Sequence, residues 1–202
     1  MNRRNRGFSL VELIVVMVIM MIVSAAFLLN VVTIQANSRV DSASKMVLEQ
    51  MRQARQAAVD ERRVYRITFQ APATIITELV PRGNVGCTYN PAVPKRTEIL
   101  PYDIQFRAEP GIPNTPGQTP DNLGTGGNAI DFDIDFGGGV TQIYFQPDGS
   151  AQDNLCRVNN GLVYMARPGQ LASSRAVSLL GTTGRIKGWR LQVNANGTKQ
   201  WQ

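Results

Sequence analysis

The sequence predicts an α+β protein in which one long N-terminal α-helix leads into an antiparallel β head. Three observations predict it. Neither proline nor glycine occurs between Phe8 and Glu61, so a single helix of about 50 residues, roughly 80 Å at 1.5 Å per residue, meets no backbone obstacle. After Arg63 the apolar period shortens from that of a helix to the two-residue alternation of strands. The chain's 202 residues suffice for one ordinary domain behind such a helix and are too few for two large ones.

The helix divides by composition. From Leu13 to Val32 it is apolar over about the 20 residues needed to span a bilayer. Beyond that, Val40, Ser44, Val47, Met51, Ala54 and Ala58 recur at alternating four- and three-residue spacing, a seam of small and apolar residues, with Lys45, Glu49, Arg52 and Arg55 lying off it. Residues 36–63 therefore form an amphipathic half that packs on the head. In the head, Val64 to Phe69 alternates with Tyr65, Ile67 and Phe69 on one face, and Thr74 to Val80 is a β-branched run after the turn at Pro72. Further strands are expected at Ile104 to Arg107, Ala129 to Phe136, Val140 to Gln146, Gly161 to Ala166, Ala176 to Leu180 and Trp189 to Val193. Proline and glycine crowd the stretch from Pro110 to Gly127, which reads as a long mobile surface loop, 108–128, with little core.

Composition excludes several chemistries. The chain contains no histidine, which removes the usual general base, the usual metal ligand and every histidine-dependent triad. No other catalytic constellation stands out, so the chain reads as a non-enzyme without cofactor. The net charge is +6, of which Arg3, Arg4 and Arg6 supply three. Elsewhere charge is segregated: Glu98 to Asp153 holds nine acidic residues and the single cation Arg107, whereas Asn154 to Gln202 holds seven cations and no acid. Such asymmetry marks either an anionic partner or two neighbouring segments whose charges pair.

The N-terminal arginines hold that end in the cytoplasm and direct the rest of the chain across the membrane. In an extracytoplasmic compartment Cys87 and Cys156 can pair, closing a loop of about 70 residues worth about 3 to 5 kcal/mol in the loop-entropy account; two separate thiols are the alternative. The apolar segment is open to two simple readings, a cleaved signal peptide ending at Ala25 or a permanent anchor. Neither accounts for Glu12, a carboxylate at the edge of an otherwise unbroken apolar run. An acidic group in hydrocarbon costs about 2.5 to 3.5 kcal/mol, so its presence implies a partner or a task.

The stretch Arg6-Gly7-Phe8-Ser9-Leu10-Val11-Glu12 resembles the start of the type IV pilins: a short basic leader ending in Gly, then Phe, with Glu fifth in the mature chain. The resemblance implies removal of residues 1–7 by a prepilin peptidase, methylation of the new amino terminus at Phe8, and retention of the apolar helix 8–35. It also implies a physical role for Glu12, which neutralises the Phe8 amine of a neighbouring subunit. An unpaired charge at the wrong axial height is disfavoured, so the pair sets the stagger. Many pilins carry a helix-breaking proline within the apolar stretch; here that place holds Leu29.

Later motifs narrow the resemblance. Phe145-Gln146-Pro147-Asp148-Gly149-Ser150 and Thr183-Gly184-Arg185 are similar to an F-x-P-D-G-S turn and a T-G-R element of the GspH/FimT class of minor pilins and pseudopilins. That class implies a head, 64–202, of two small antiparallel sheets. It implies a subunit that initiates or caps a type IV pilus or a type II secretion pseudopilus, anchored by a single span in the inner membrane with a periplasmic head before assembly. Its partners would be other pilins, the prepilin peptidase and the inner-membrane assembly platform. The alternative is a DNA-binding minor pilin in DNA uptake, with Arg185, Lys187 and Arg190 on phosphates. Two further patterns are set aside. Asp131, Asp133 and Asp135 have Phe136 where a calcium loop needs its turn glycine, and read instead as the exposed acidic face of a strand whose other face is Ile130, Phe132, Ile134 and Phe136. The run Gly124 to Ala129 lacks the strand-to-helix context of a dinucleotide site.

N-terminal sequencing of the purified protein is expected to begin at Phe8. A start at Ala26 would establish an ordinary signal peptide and sink the pilin reading.

Overall fold

The computed structural model describes residues 9–81, 89, 91–115, 117–124, 127–194 and 196–202, and of residues 26–36 the backbone alone. It forms two compact units, Met1–Ser38 and Arg39–Gln202. The predicted helix is present as α1 (Leu10–Glu61), 52 residues without a break. It ends at Arg62, which takes a positive φ of 54°, and the chain turns directly into the head.

Within the second unit, α1 buries one face. Val40, Ala43, Val47, Met51, Ala54 and Ala58 lie in the main core, as the seam requires, except that Ala43 takes the place expected for Ser44, which is only partly covered. A straight helix of 3.6 residues per turn drifts off a strict 3.5-residue seam, which favours this neighbour. Gln50 is also buried on this face and accepts a 3.3 Å hydrogen bond from Thr77 Oγ1.

The first sheet has the order β3-β2-β1-β6-β7, made of β1 (Val64–Gln70), β2 (Thr74–Val80), β3 (Val93–Ile99), β6 (Gln142–Phe145) and β7 (Ala151–Gln152). Its pairing fulfils the predicted alternation. Tyr65 lies opposite Leu79 and Phe145, Ile67 opposite Ile143, and Phe69 opposite Ile75, and all of these face the helix core. Neither β3 nor β7 is foreseen in the sequence. β3 is an edge strand, exposed almost throughout, and its polar, proline-bearing run VPKRTEI has no buried face to produce a period.

The second sheet, β11-β10-β9-β8-β4, has β5 attached to β8. Its strands are β4 (Gln105–Phe106), β5 (Ile130–Asp131), β8 (Gly161–Ala166), β9 (Arg175–Leu180), β10 (Arg185–Val193) and β11 (Lys199–Trp201). β8 is buried at every residue because both faces of this sheet are covered. Val163, Met165, Val177, Leu179 and Ile186 join the helix core. Leu162, Tyr164, Ala176, Leu191 and Trp201 form a second core on the opposite face.

That second core corrects the expectation for residues 108–128. Leu123 is buried within it and Ile112 packs against it, while Trp201 Nε1 donates to Pro113 O at 3.2 Å and Lys199 Nζ to Gly111 O at 2.7 Å. The described part of this segment is thus a covering layer rather than a loop with little core. The apolar outer residues of β8 and β10 demand cover, and the proline-rich chain supplies it without regular structure.

A second correction concerns Ala129 to Phe136. Only Ile130–Asp131 is a strand, and Asp133 to Phe136 is a turn in which Phe136, Gly137 and Gly138 amides all donate to Asp133 O. Phe132 is buried against Gly161 and stacks on Phe69 at 5.2 Å, but Phe136 is 48% exposed under the Arg157 guanidinium. Asp131 is itself buried and accepts from the Asp133 amide, so the three aspartates do not share an exposed strand face. The Asx turn outcompetes the strand because the glycine run Gly137 to Gly139 accepts the positive φ that follows. Chemical denaturation should therefore separate the two phenylalanines: Phe132→Ala is expected to cost about 3 to 5 kcal/mol and Phe136→Ala less than about 1 kcal/mol. Equal losses would contradict the turn.

Candidate functional site

The first unit presents an unusual surface. Every side chain from Leu10 to Ala25 is exposed, although Leu13 to Val23 is wholly apolar. Contiguous apolar surface of that extent is covered in practice by a membrane or by other chains. Glu12 lies in the first turn of α1, where a carboxylate also meets the positive end of the helix dipole. Among the described residues no helix is long and apolar enough to cross a membrane; the stretch expected to span continues into residues whose side chains are not described. Gly7 and Phe8, the expected cleavage pair, lie outside the described residues.

In the second unit the two late motifs converge on one helix residue. The turn Pro147-Asp148-Gly149-Ser150 joins β6 to β7 in the first sheet, and Thr183-Gly184 joins β9 to β10 in the second. Arg55 Nε donates to Gly149 O at 3.0 Å and Arg55 Nη2 to Thr183 O at 3.1 Å. One guanidinium on the helix thereby ties a turn from each sheet. The first turn is prepared for this by its own bonds: Asp148 Oδ1 accepts from the Ser150 amide at 2.8 Å, and the Gly149 and Ser150 positions close onto Gln146. The Ser150 hydroxyl, followed by its amide, holds the Asp148 carboxyl below its ordinary range. Gly184 has φ of +61°, and a Cβ there would collide with Gly149 O and Arg55 Nε. Glycine is required both for the turn and for the approach of the two sheets to the arginine.

Arg55 is the residue that periodicity misses. It sits beside seam residue Ala54, and nothing in the helix pattern distinguishes it from the solvent-facing Arg52. The signal lies in the two turn motifs, whose orphan carbonyls need a donor.

The candidate cations of β10 do not form one patch. Strand alternation puts Arg185 and Lys187 on the face that carries Leu191, and Arg190 on the face that carries Ile186 and approaches α1. Arg185 pairs with Asp121 at 2.6 Å, and Asp121 also accepts a hydrogen bond from Ser178 Oγ. Lys187 Nζ sits 3.5 Å from the centre of the Trp189 ring, whose Nε1 donates to Ser178 Oγ at 2.9 Å. The wider charge segregation resolves as pairing between segments. Arg157 bonds Asp153 at 2.6 Å and lies 3.6 Å from Asp133, and Arg167 bonds Asp103 at 3.2 Å. Asp133 and Asp135 additionally accept from Asn159 and Asn160. Among the described residues no cluster of carboxylates and cysteine could hold a metal ion.

Cys87 lies outside the described residues. Tyr89, two positions on, brings its hydroxyl to 3.8 Å from Cys156 Sγ and stacks on Tyr144 at 4.6 Å.

Replacing Arg55 by Gln removes a charged donor from two carbonyls and is expected to lower stability by about 1.5 to 3 kcal/mol, and Gly184→Ala by about 2 to 4 kcal/mol. Because both act on one contact, the double variant should fall short of the sum by at least about 0.5 kcal/mol in a double-mutant cycle. Full additivity would mean that the two residues do not share it.

Residues 2–28 match the family model described as the prokaryotic N-terminal methylation motif. No curated protein matches the chain. The similar solved structures include two crystal forms of the type IV minor pilin FimU of Pseudomonas aeruginosa strain PAO1. The P21 form is 15% identical with a TM-score of 0.47, covering 74% of this chain and 87% of that one. The P65 form is 14% identical with a TM-score of 0.43, covering 73% and 90%. The chain thus carries a prokaryotic N-terminal methylation motif at the head of an unbroken 52-residue helix that leads into two antiparallel sheets.

Proposed function

We propose that the chain is a minor pilin or pseudopilin, a structural subunit that initiates or caps assembly of a type IV pilus or a type II secretion pseudopilus. The observation that carries this is the N-terminal helix surface: apolar and exposed along Leu13 to Val23, with one carboxylate, Glu12, in its first turn. Such a helix has two possible hosts in sequence, the inner membrane before assembly and a bundle of like helices afterwards. Prepilin peptidase cleaves after Gly7, the new terminus at Phe8 is methylated, and the Phe8 amine pairs with Glu12 of an adjacent subunit. The inner-membrane platform and other pilins are the remaining partners.

The paired turns and Arg55 fit a structural subunit, since the residues that carry the GspH/FimT resemblance serve the head's internal cohesion. DNA uptake through Arg185, Lys187 and Arg190 gains no support from their placement on two faces, with Arg185 occupied by Asp121. A Cys87–Cys156 bridge belongs to the proposal, supported by the approach of Tyr89 to Cys156.

The test is Glu12→Ala in the full chain. Removing the carboxylate makes insertion more favourable by about 2.5 kcal/mol or more on insertion scales, so the variant should still fractionate with membranes. It should be absent from sheared filaments, because its amine partner is left unpaired. Incorporation at the wild-type level refutes the pairing role.

A further inference from the structure

A cavity of about 290 Å³ opens between the helix residues Asp41 to Leu48 and the β10 residues Gly188 to Arg190. Its floor includes Arg175, which is 2% exposed. Arg175 Nε donates to Asp41 Oδ1 at 2.7 Å, and Nη1 donates to Ser173 O and Ser174 O at 3.2 and 3.0 Å. Nη2, although buried, has no acceptor. A buried guanidinium nitrogen without a partner carries a desolvation cost that a bound acceptor removes.

The cavity's walls add charge of the same sign. Lys45 from the helix and Arg190 from β10 both line it; Asp41 is the one acidic side chain that does, and Gln202 also lines it. Counted over side chains, three cations against one acid leave +2. Gly188 keeps the space open: even a Cβ there would stay 3.9 Å or more from Leu48 and Ser44, so no side chain fills the gap between strand and helix. Burial pulls Arg175 below its usual range; Asp41 opposes this and Arg190 reinforces it.

We propose that this cavity is a phosphate-binding site, taking a dianionic phosphate as a free ion or as a phosphomonoester lipid headgroup, with Arg175 as the buried anchor and Lys45 and Arg190 at the mouth. Charge decides the class. A phosphate monoester carries about −2 near neutral pH and offers several acceptor oxygens, which matches +2 and the unpartnered Nη2 together. A single carboxylate neutralises only half of it. The site does not depend on the filament reading, since every residue that builds it lies in the head unit.

The test is thermal unfolding of the full chain in a neutral detergent at pH 8, titrated with sodium phosphate while chloride holds ionic strength constant. The melting temperature should rise saturably, with an apparent dissociation constant on the order of 1 mM. Lys45→Gln and Arg190→Gln combined, both at exposed positions, should weaken that constant about tenfold or more, whereas Lys95→Gln, a solvent-facing lysine on β3, should leave it unchanged. Mixed micelles give the second arm. Stabilisation by phosphatidic acid, at concentrations where phosphatidylcholine gives none, assigns the headgroup; stabilisation by inorganic phosphate alone assigns the free ion. No saturable rise with either probe, or an equal rise in the double variant, overturns the site.

Discussion

The head is organised around the guanidinium of Arg55. Two antiparallel sheets and a helix are three surfaces that the hydrophobic effect brings together without fixing their mutual angle, because burial is non-directional. Directed bonds fix it. Among the described residues, Arg55 is the one side chain of α1 that bonds a turn carbonyl from each sheet, Gly149 O and Thr183 O. Backbone contacts follow the same line: the Ala151 amide donates to Gly181 O at 2.8 Å and the Asn159 amide to Ala151 O at 3.2 Å, so the start of β7, the end of β9 and the start of β8 meet beside the two tied turns. The glycines at 149 and 184 are consequences of this arrangement, since a side chain at 184 would occupy the space of the arginine.

The consequence for function is a division of labour. The two turns that resemble a family motif late in the chain turn backbone carbonyls, Gly149 O and Thr183 O, onto the helix, while Asp148, Thr183 and Arg185 remain exposed. The residues that resemble the family early in the chain face outward: the side chains from Leu10 to Ala25 are exposed and await cover from outside the chain. Cohesion is built into the second unit, and the described side chains of the first offer exposed apolar surface. The segregated charges seen in the sequence serve cohesion as well, since Arg157, Arg167 and Arg185 each bond an aspartate from the acidic stretch. A cationic C-terminal block is therefore not by itself an anion surface. The surplus remains where pairing is incomplete, at Arg175 with Lys45 and Arg190.

Much of this was legible in the sequence wherever one face is buried and the other wet. The seam of α1 and the alternation of β1 and β2 are such places, and β2 and β8 match their expected bounds, Thr74–Val80 and Gly161–Ala166. Legibility failed in two physical situations. Edge strands such as β3 bury no face, so no period is written into them. Local side-chain bonds were also invisible: Asp131 caps the Asp133 amide and turns a run that alternates like a strand into a compact turn. The covering role of Ile112 and Leu123 could not be seen either, because the need for it arises on β8 and β10, far away in sequence. Of the candidate site, Glu12 and the two turn motifs were visible at once. Arg55 was not, because an arginine one step off an apolar seam looks the same whether it faces water or a pair of carbonyls.

The central claim is that Arg55 couples the helix to both sheets. Native-state hydrogen exchange on the Arg55→Gln variant tests it most directly. Three groups of amides report on the three surfaces: Gly149, bonded to Gln146 O; Ala151, bonded to Gly181 O; and the helix amides of residues 51–58. If the arginine couples them, protection falls in all three together, by about tenfold or more, as one cooperative opening. If protection is lost only at Gly149 while Ala151 and the helix exchange as in the wild type, the contact is a local surface bond and the account is wrong.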